Sequence, residues 1–84
     1  MRMPIDPFQV LDQLTPILPE TLFNKEIVAL DYDKDADVLY VSFVSNPFAV
    51  DSEALDEKGL VIAGLNQTEK IVRLTILKAS SFLF

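Results

Sequence analysis

The stretch Ile27–Val44, IVALDYDKDADVLYVSFV, constrains the fold more than any other part of the chain. Val38–Val44 is almost wholly β-branched, aromatic or large and apolar, the composition that suits a pleated, packed surface. One alternating set is Val38, Tyr40, Ser42 and Val44; the other is Leu39, Val41 and Phe43. Both sets are apolar, which predicts a central strand packed on both sides. Ile27–Tyr32 alternates in the same way. Between the two lies Asp33-Lys34-Asp35-Ala36-Asp37. Asp side chains bond nearby backbone N–H groups and tolerate turn conformations, so this is a hairpin connection. Tyr32 and Tyr40 are expected as near neighbours across it.

The rest of the chain reads as cover for this hairpin or continuation of it. Asp6 can cap a helix, Pro7 suits its first position, and Phe8, Leu11 and Leu14 fall on one stripe flanked by Val10 and Gln13. Pro16 and Pro19 bias Thr15 and Leu18 away from helix, so the helix ends or kinks near Thr15. Phe8, Leu11, Leu14, Ile17, Leu22 and Phe23 all require burial, and covering one face of a sheet provides it. Ser45-Asn46-Pro47 is a turn. Residues 49–54 suit a short edge strand whose charges oppose edge-to-edge pairing. Gly59 sits in a turn and can take positive φ. Leu60–Leu65 is a strand in which Gly64 signals a bulge or the close approach of another element. Asn66–Lys70 turns the chain into the alternating strand Ile71–Leu77.

These connections are of hairpin length, and parallel neighbours need longer crossovers. The fold class expected is therefore α+β: an N-terminal helix on a four- to five-stranded antiparallel β-meander. The strands are expected near 27–32, 38–44, 60–65 and 71–77, with a further short one near 49–54. One domain spans 1–84, with helical cover over 1–26, sheet core over 27–80 and an apolar tail over 81–84.

At 84 residues, half of them apolar, the chain has neither Cys nor His for a disulfide or zinc staple. Oligomerisation is the remaining way to bury the surplus. The formal net charge of −6 disfavours nucleic acid and suits a basic protein partner. No apolar run approaches the length of a membrane helix, and the N-terminus lacks the apolar core of a signal peptide. A soluble, cytoplasmic protein is expected, without nucleic-acid or membrane partners.

The run Asp31–Phe43 resembles the signature of the bacterial family of unknown function DUF2283: a tyrosine–aspartate turn, an alanine–aspartate pair and a leucine–tyrosine strand. The acidic segment Asp51–Glu57 and the strands Leu60–Leu65 and Ile71–Leu77 follow in similar order, so the resemblance covers about Ile27 to Ser80. It implies a small antiparallel-sheet domain and no established activity. Some relatives sit beside small toxin-like genes, which implies an antitoxin-like alternative. Arg73 stands where family members often have Gly, and Asn66–Lys70 replaces a more acidic, Gly-containing turn.

Chemistry-bearing constellations are sparse. Asp31, Asp33, Asp35 and Asp37 have the alternate spacing of a calcium loop. Neither register supplies the required Gly and Glu, so Asp33, Asp35 and Asp37 are read as shaping the turn. Asp51, Glu53, Asp56 and Glu57 are read as a solvated edge, and Ser80-Ser81 has no His to activate a nucleophile. No catalytic, metal or cofactor residues are assigned. A divalent-metal enzyme using the Asp cluster ranks last among the functions. The leading reading is a non-enzymatic protein-interaction or self-association module. Its contact residues are expected among Arg73, which can clamp a carboxylate or form a cross-strand ion pair, Tyr40, and the tail Phe82, Leu83 and Phe84. The partner expected is a second copy in a two-fold homodimer, through sheet faces or C-terminal segments.

Overall fold

The computed structural model describes residues 5–19, 22 and 26–82. Helix α1 spans Pro7–Gln13, capped where the Asp6 carboxylate accepts the N–H groups of Phe8 and Gln9 at 3.0 and 3.4 Å. It ends at Leu14, a 3-10 turn follows over Thr15–Ile17, and Leu18 is extended before Pro19. Five strands follow: β1 Ala29–Asp33, β2 Val38–Ser42, β3 Asp51–Ala54, β4 Val61–Leu65 and β5 Ile71–Leu77. A last 3-10 turn spans Ala79–Phe82. No helix among the described residues is long and apolar enough to cross a membrane.

The helix, the α+β class and the all-antiparallel pairing agree with the sequence reading, as does the exposed edge strand β3. The strand order, β1-β2-β5-β4-β3, departs from a simple meander. Only β3–β4–β5 meanders. The chain leaves β2, crosses to the far edge, and returns until β5 inserts beside β2, which is a Greek-key arrangement.

One face of the sheet carries the core. Leu39 and Val41 of β2, Leu74 and Ile76 of β5, and Val61 and Ala63 of β4 are closed off by Val10, Leu14 and Leu22. Fully burying a Leu, Ile or Val contributes about 1.5–3 kcal/mol, so this layer dominates the stability of the fold.

Two helix-side expectations are corrected. Phe8 is 62% exposed and Ile17 38% exposed. At about 100° per residue, Phe8 lies well round the helix from the Val10–Leu14 pair, and that four-residue pair faces the sheet. Leu11 is half-buried; Phe23 lies outside the described residues.

The hairpin register corrects a third. Tyr32 pairs with Leu39, and Tyr40 with Asp31. Side chains alternate between faces, so the two tyrosines point to opposite sides of the sheet.

Gly64 fulfils its expectation. The β4–β5 register slips between Gly64 and Leu65. A Cβ at Gly64 would lie 2.7 Å from Cγ of Arg73 and 3.0 Å from Cβ of Ala49, so the β2–β3 crossover and the Arg73 stem both rest on bare backbone. Gly59 takes φ +70° in its turn. In the 66–70 turn Glu69 takes φ +64°, and the Asn66 carboxamide oxygen accepts the N–H groups of Thr68 and Lys70, both at 3.0 Å.

Candidate functional site

Two features of the molecule could carry function: a polar junction at one end of the hairpin and the uncovered side of the sheet.

The junction is centred on Asp37. Asp33 behaves as the sequence suggests, its carboxylate accepting the N–H groups of Asp35 and Ala36 at 3.1 and 3.2 Å. Asp37 does not. It takes φ +57°, and its side chain reaches across the fold. The Tyr32 hydroxyl donates to Oδ1 at 2.6 Å, the Ser80 N–H donates to the same oxygen at 3.0 Å, and the Ser80 hydroxyl donates to Oδ2 at 2.6 Å. The backbone carbonyl of Asp37 also accepts the Ala79 N–H at 3.0 Å. One aspartate thus joins β1, the hairpin turn and the 3-10 turn Ala79–Phe82.

Its electrostatics suit anchoring. The hydroxyls of Ser80 and Tyr32 hold the Asp37 carboxyl below its ordinary pKa, and the bond to Asp37 raises that of Tyr32. A carboxylate made less basic, with both oxygens already engaged, is a poor proton acceptor. The Ser80 hydroxyl spends its proton on a carboxylate, and the chain has no His to activate it. Asp56 is similar. Burial opposes its ionisation, but backbone N–H groups led by that of Val61, at 2.9 Å, outweigh it and lower its pKa. Among the described residues no three acidic side chains converge as a metal site would require.

The second feature is the far side of the sheet. Its central cross-strand row runs Asp31–Tyr40–Thr75–Ile62–Ala54. The next row runs Ala29–Ser42–Arg73–Gly64–Ser52. Tyr40 is 41% exposed, Arg73, Ser52 and Ala54 are exposed, and Ile62 and Thr75 are half-buried. The expectation that β2 is packed on both sides therefore holds only for the core face; on the other, Val38 alone is buried.

The structure brings Tyr40 and Arg73 onto this one face, diagonal to each other through Ser42. The cross-strand neighbours of Arg73 are Ser42 and Gly64, so the expected ion pair has no acid directly opposite. Phe82 goes elsewhere: it is half-buried against the core on the helix side. Leu83 and Phe84 lie outside the described residues.

The model for the family described as protein of unknown function (DUF2283) matches residues 29–80, well over half of the chain. The chain belongs to this family. Searches of curated proteins and of solved structures found no match. The DUF2283 match opens at the first residue of β1 and closes at Ser80, the residue that binds Asp37. The junction was missed by sequence reasoning because its partners lie 43 residues apart. The extent of the family match is the signal that could have pointed to it.

Proposed function

We propose that this DUF2283 protein is a non-enzymatic protein-interaction module whose working surface is the open side of its sheet. The single observation behind this reading is the row Asp31–Tyr40–Thr75–Ile62–Ala54, which crosses all five strands and over which no helix or strand packs among the described residues, while the other side of the sheet is closed by the helix. An uncovered sheet face with a part-exposed Tyr, an Ile and an Arg has the amphipathic composition of an interface centre, where Tyr and Arg are enriched. The polar groups most able to support catalysis, Asp37 and Ser80, are committed to one another.

The test is a photo-crosslinking residue at position 40, produced in the native cells, with a second at position 8 on the helix side. The expected result is an adduct of discrete mass at position 40 that is absent at position 8. Equal labelling at both positions, or no protein adduct at 40, overturns the reading.

A further inference from the structure

We infer that the outer edge of β1 is a strand-docking site, and that its occupant is an extended segment of a partner protein in which basic and apolar side chains alternate. The site is the edge of the sheet and goes beyond the open side proposed above.

The phase of the hydrogen bonds identifies the edge. The Phe43 N–H donates to the Val72 carbonyl, so the odd-numbered residues of β2 turn their backbone groups toward β5. The even-numbered ones, Val38, Tyr40 and Ser42, therefore bond to Asp33, Asp31 and Ala29 of β1. The N–H and C=O groups of Leu30 and Tyr32 are left pointing away from the sheet. Among the described residues neither N–H has a backbone or side-chain partner.

The opposite edge is built differently. The Leu55 N–H donates to the Val61 carbonyl, so by the same phase Ser52 and Ala54 point outward from β3. There the Asp51 carboxylate accepts the Ser52 N–H at 2.8 Å, and every β3 residue is exposed. A strand docking on β3 must displace that carboxylate and gains no apolar cover. On β1 the outward donors are uncapped and lie between apolar side chains: Leu30 and Tyr32 pack partly against the core, and Val28, just before the strand, is 53% exposed.

Alternation sets the chemistry of the partner. Leu30 and Tyr32 pair with the buried Val41 and Leu39 and lie on the helix side. Asp31 and Asp33 lie on the other side and are exposed. Side chains on paired strands stand about 4.5–5.5 Å apart. An added strand thus sets one of its alternating rows beside Leu30 and Tyr32, where apolar side chains extend the core layer. It sets the other beside Asp31 and Asp33, where Lys or Arg is complementary. The exposed Glu26 and the net charge of −6 act in the same direction. A second copy of β1 would instead bring its own aspartates against these, which opposes self-pairing at this edge. In strand addition the main-chain bonds supply affinity and alternate side chains supply specificity.

The test is amide hydrogen exchange, read by NMR on the labelled full-length protein, alone and with a short peptide of alternating lysine and valine. In the free protein the Leu30 and Tyr32 amides should exchange quickly and that of Asp31 slowly. The peptide should slow exchange at Leu30 and Tyr32 and leave Ser52 and Ala54 unchanged. A glutamate–valine peptide should not bind. Asp31→Lys, its fold checked by its spectrum, should weaken the lysine–valine peptide about tenfold or more. No binding of that peptide, or protection at Ser52 and Ala54 instead, overturns the site. Equal binding of a lysine–glycine peptide shows adsorption by charge alone and also overturns it. Slow exchange at Leu30 and Tyr32 in the free protein does the same: if independent of concentration, the chain covers its own edge, and if it grows with concentration, a second copy does. Equal binding of the glutamate–valine peptide overturns the basic partner. The open side is tested separately, by the adduct at position 40.

Discussion

The two sides of one sheet are built from the same strands and have opposite fates. On the covered side Leu39, Val41, Leu74 and Ile76 are 0–1% exposed. On the other, one residue along the same strands, Tyr40 is 41% exposed, Thr75 is half-buried and Arg73 is exposed. Apolar content alone does not decide which residues make the core. The deciding factor is which alternating set the helix closes over.

The sharpest way to break this comparison is to delete side chains on adjacent residues. Leu39→Ala should cost about 2–5 kcal/mol, the transfer and cavity cost of a closed core position. Tyr40→Ala should leave monomer stability nearly unchanged, within roughly 0.5–1 kcal/mol. Urea denaturation at low protein concentration measures both, and comparable losses would mean that the open side is packed after all.

Next in size is the junction. Asp37→Ala removes the acceptor for two side chains and places Ala at a positive φ, for a combined loss of about 2–4 kcal/mol. Asp37→Asn tolerates the backbone and removes the ionic part of the junction together with one of its two acceptor oxygens. Because the Asp37 pKa is lowered in the fold, that part is complete above the unfolded carboxylate value, near about 3.9, and is lost as pH falls through the folded value. The stability gap between the unmodified protein and Asp37→Asn should therefore close on acidification from pH 7. Tyr32 has the opposite sign. Its raised pKa makes its contribution complete below the unfolded value, about 10, and lost as pH rises through the folded one.

A smaller effect than at the junction is expected at Gly64. A methyl group there meets the Arg73 stem and Ala49, so Gly64→Ala should cost about 1–3 kcal/mol. Pairing it with Arg73→Ala removes the closest of these contacts and should recover part of the loss in a double-mutant cycle. Strict additivity would show that the strain lies in the backbone slip rather than in the side chains.

Local physics was legible in the sequence. The Asp6 cap, the ends forced by Pro16 and Pro19, the five strands and the special role of Gly64 each depend on a few neighbouring residues. Features set by distant pairing were not. Alternation identified the two sets along β2 but could not say which one the helix would choose. The hairpin connects Asp33 to Val38, and that register, set by the turn, separates Tyr32 from Tyr40. The candidate surface was half legible. Tyr40 and Arg73 were singled out, but their meeting on one face depends on β5 lying beside β2. Nothing local to Asp37 distinguished it from Asp33, since its partner Ser80 belongs to another part of the fold.

The insertion of β5 also bears on how the chain is made. During synthesis the β1–β2 hairpin emerges early, yet Val38 must wait for Leu77 and Ser42 for Arg73. Until then β2 presents a bare edge of Val and Leu, the kind of edge that recruits other nascent chains. Long-range pairing of this type also slows folding relative to a pure meander. A nascent DUF2283 chain is thus most vulnerable to aggregation just before its last strand appears. β5 is the one strand that pairs with both the β1–β2 and the β3–β4 hairpins, so the five-stranded sheet is closed only when it is in place.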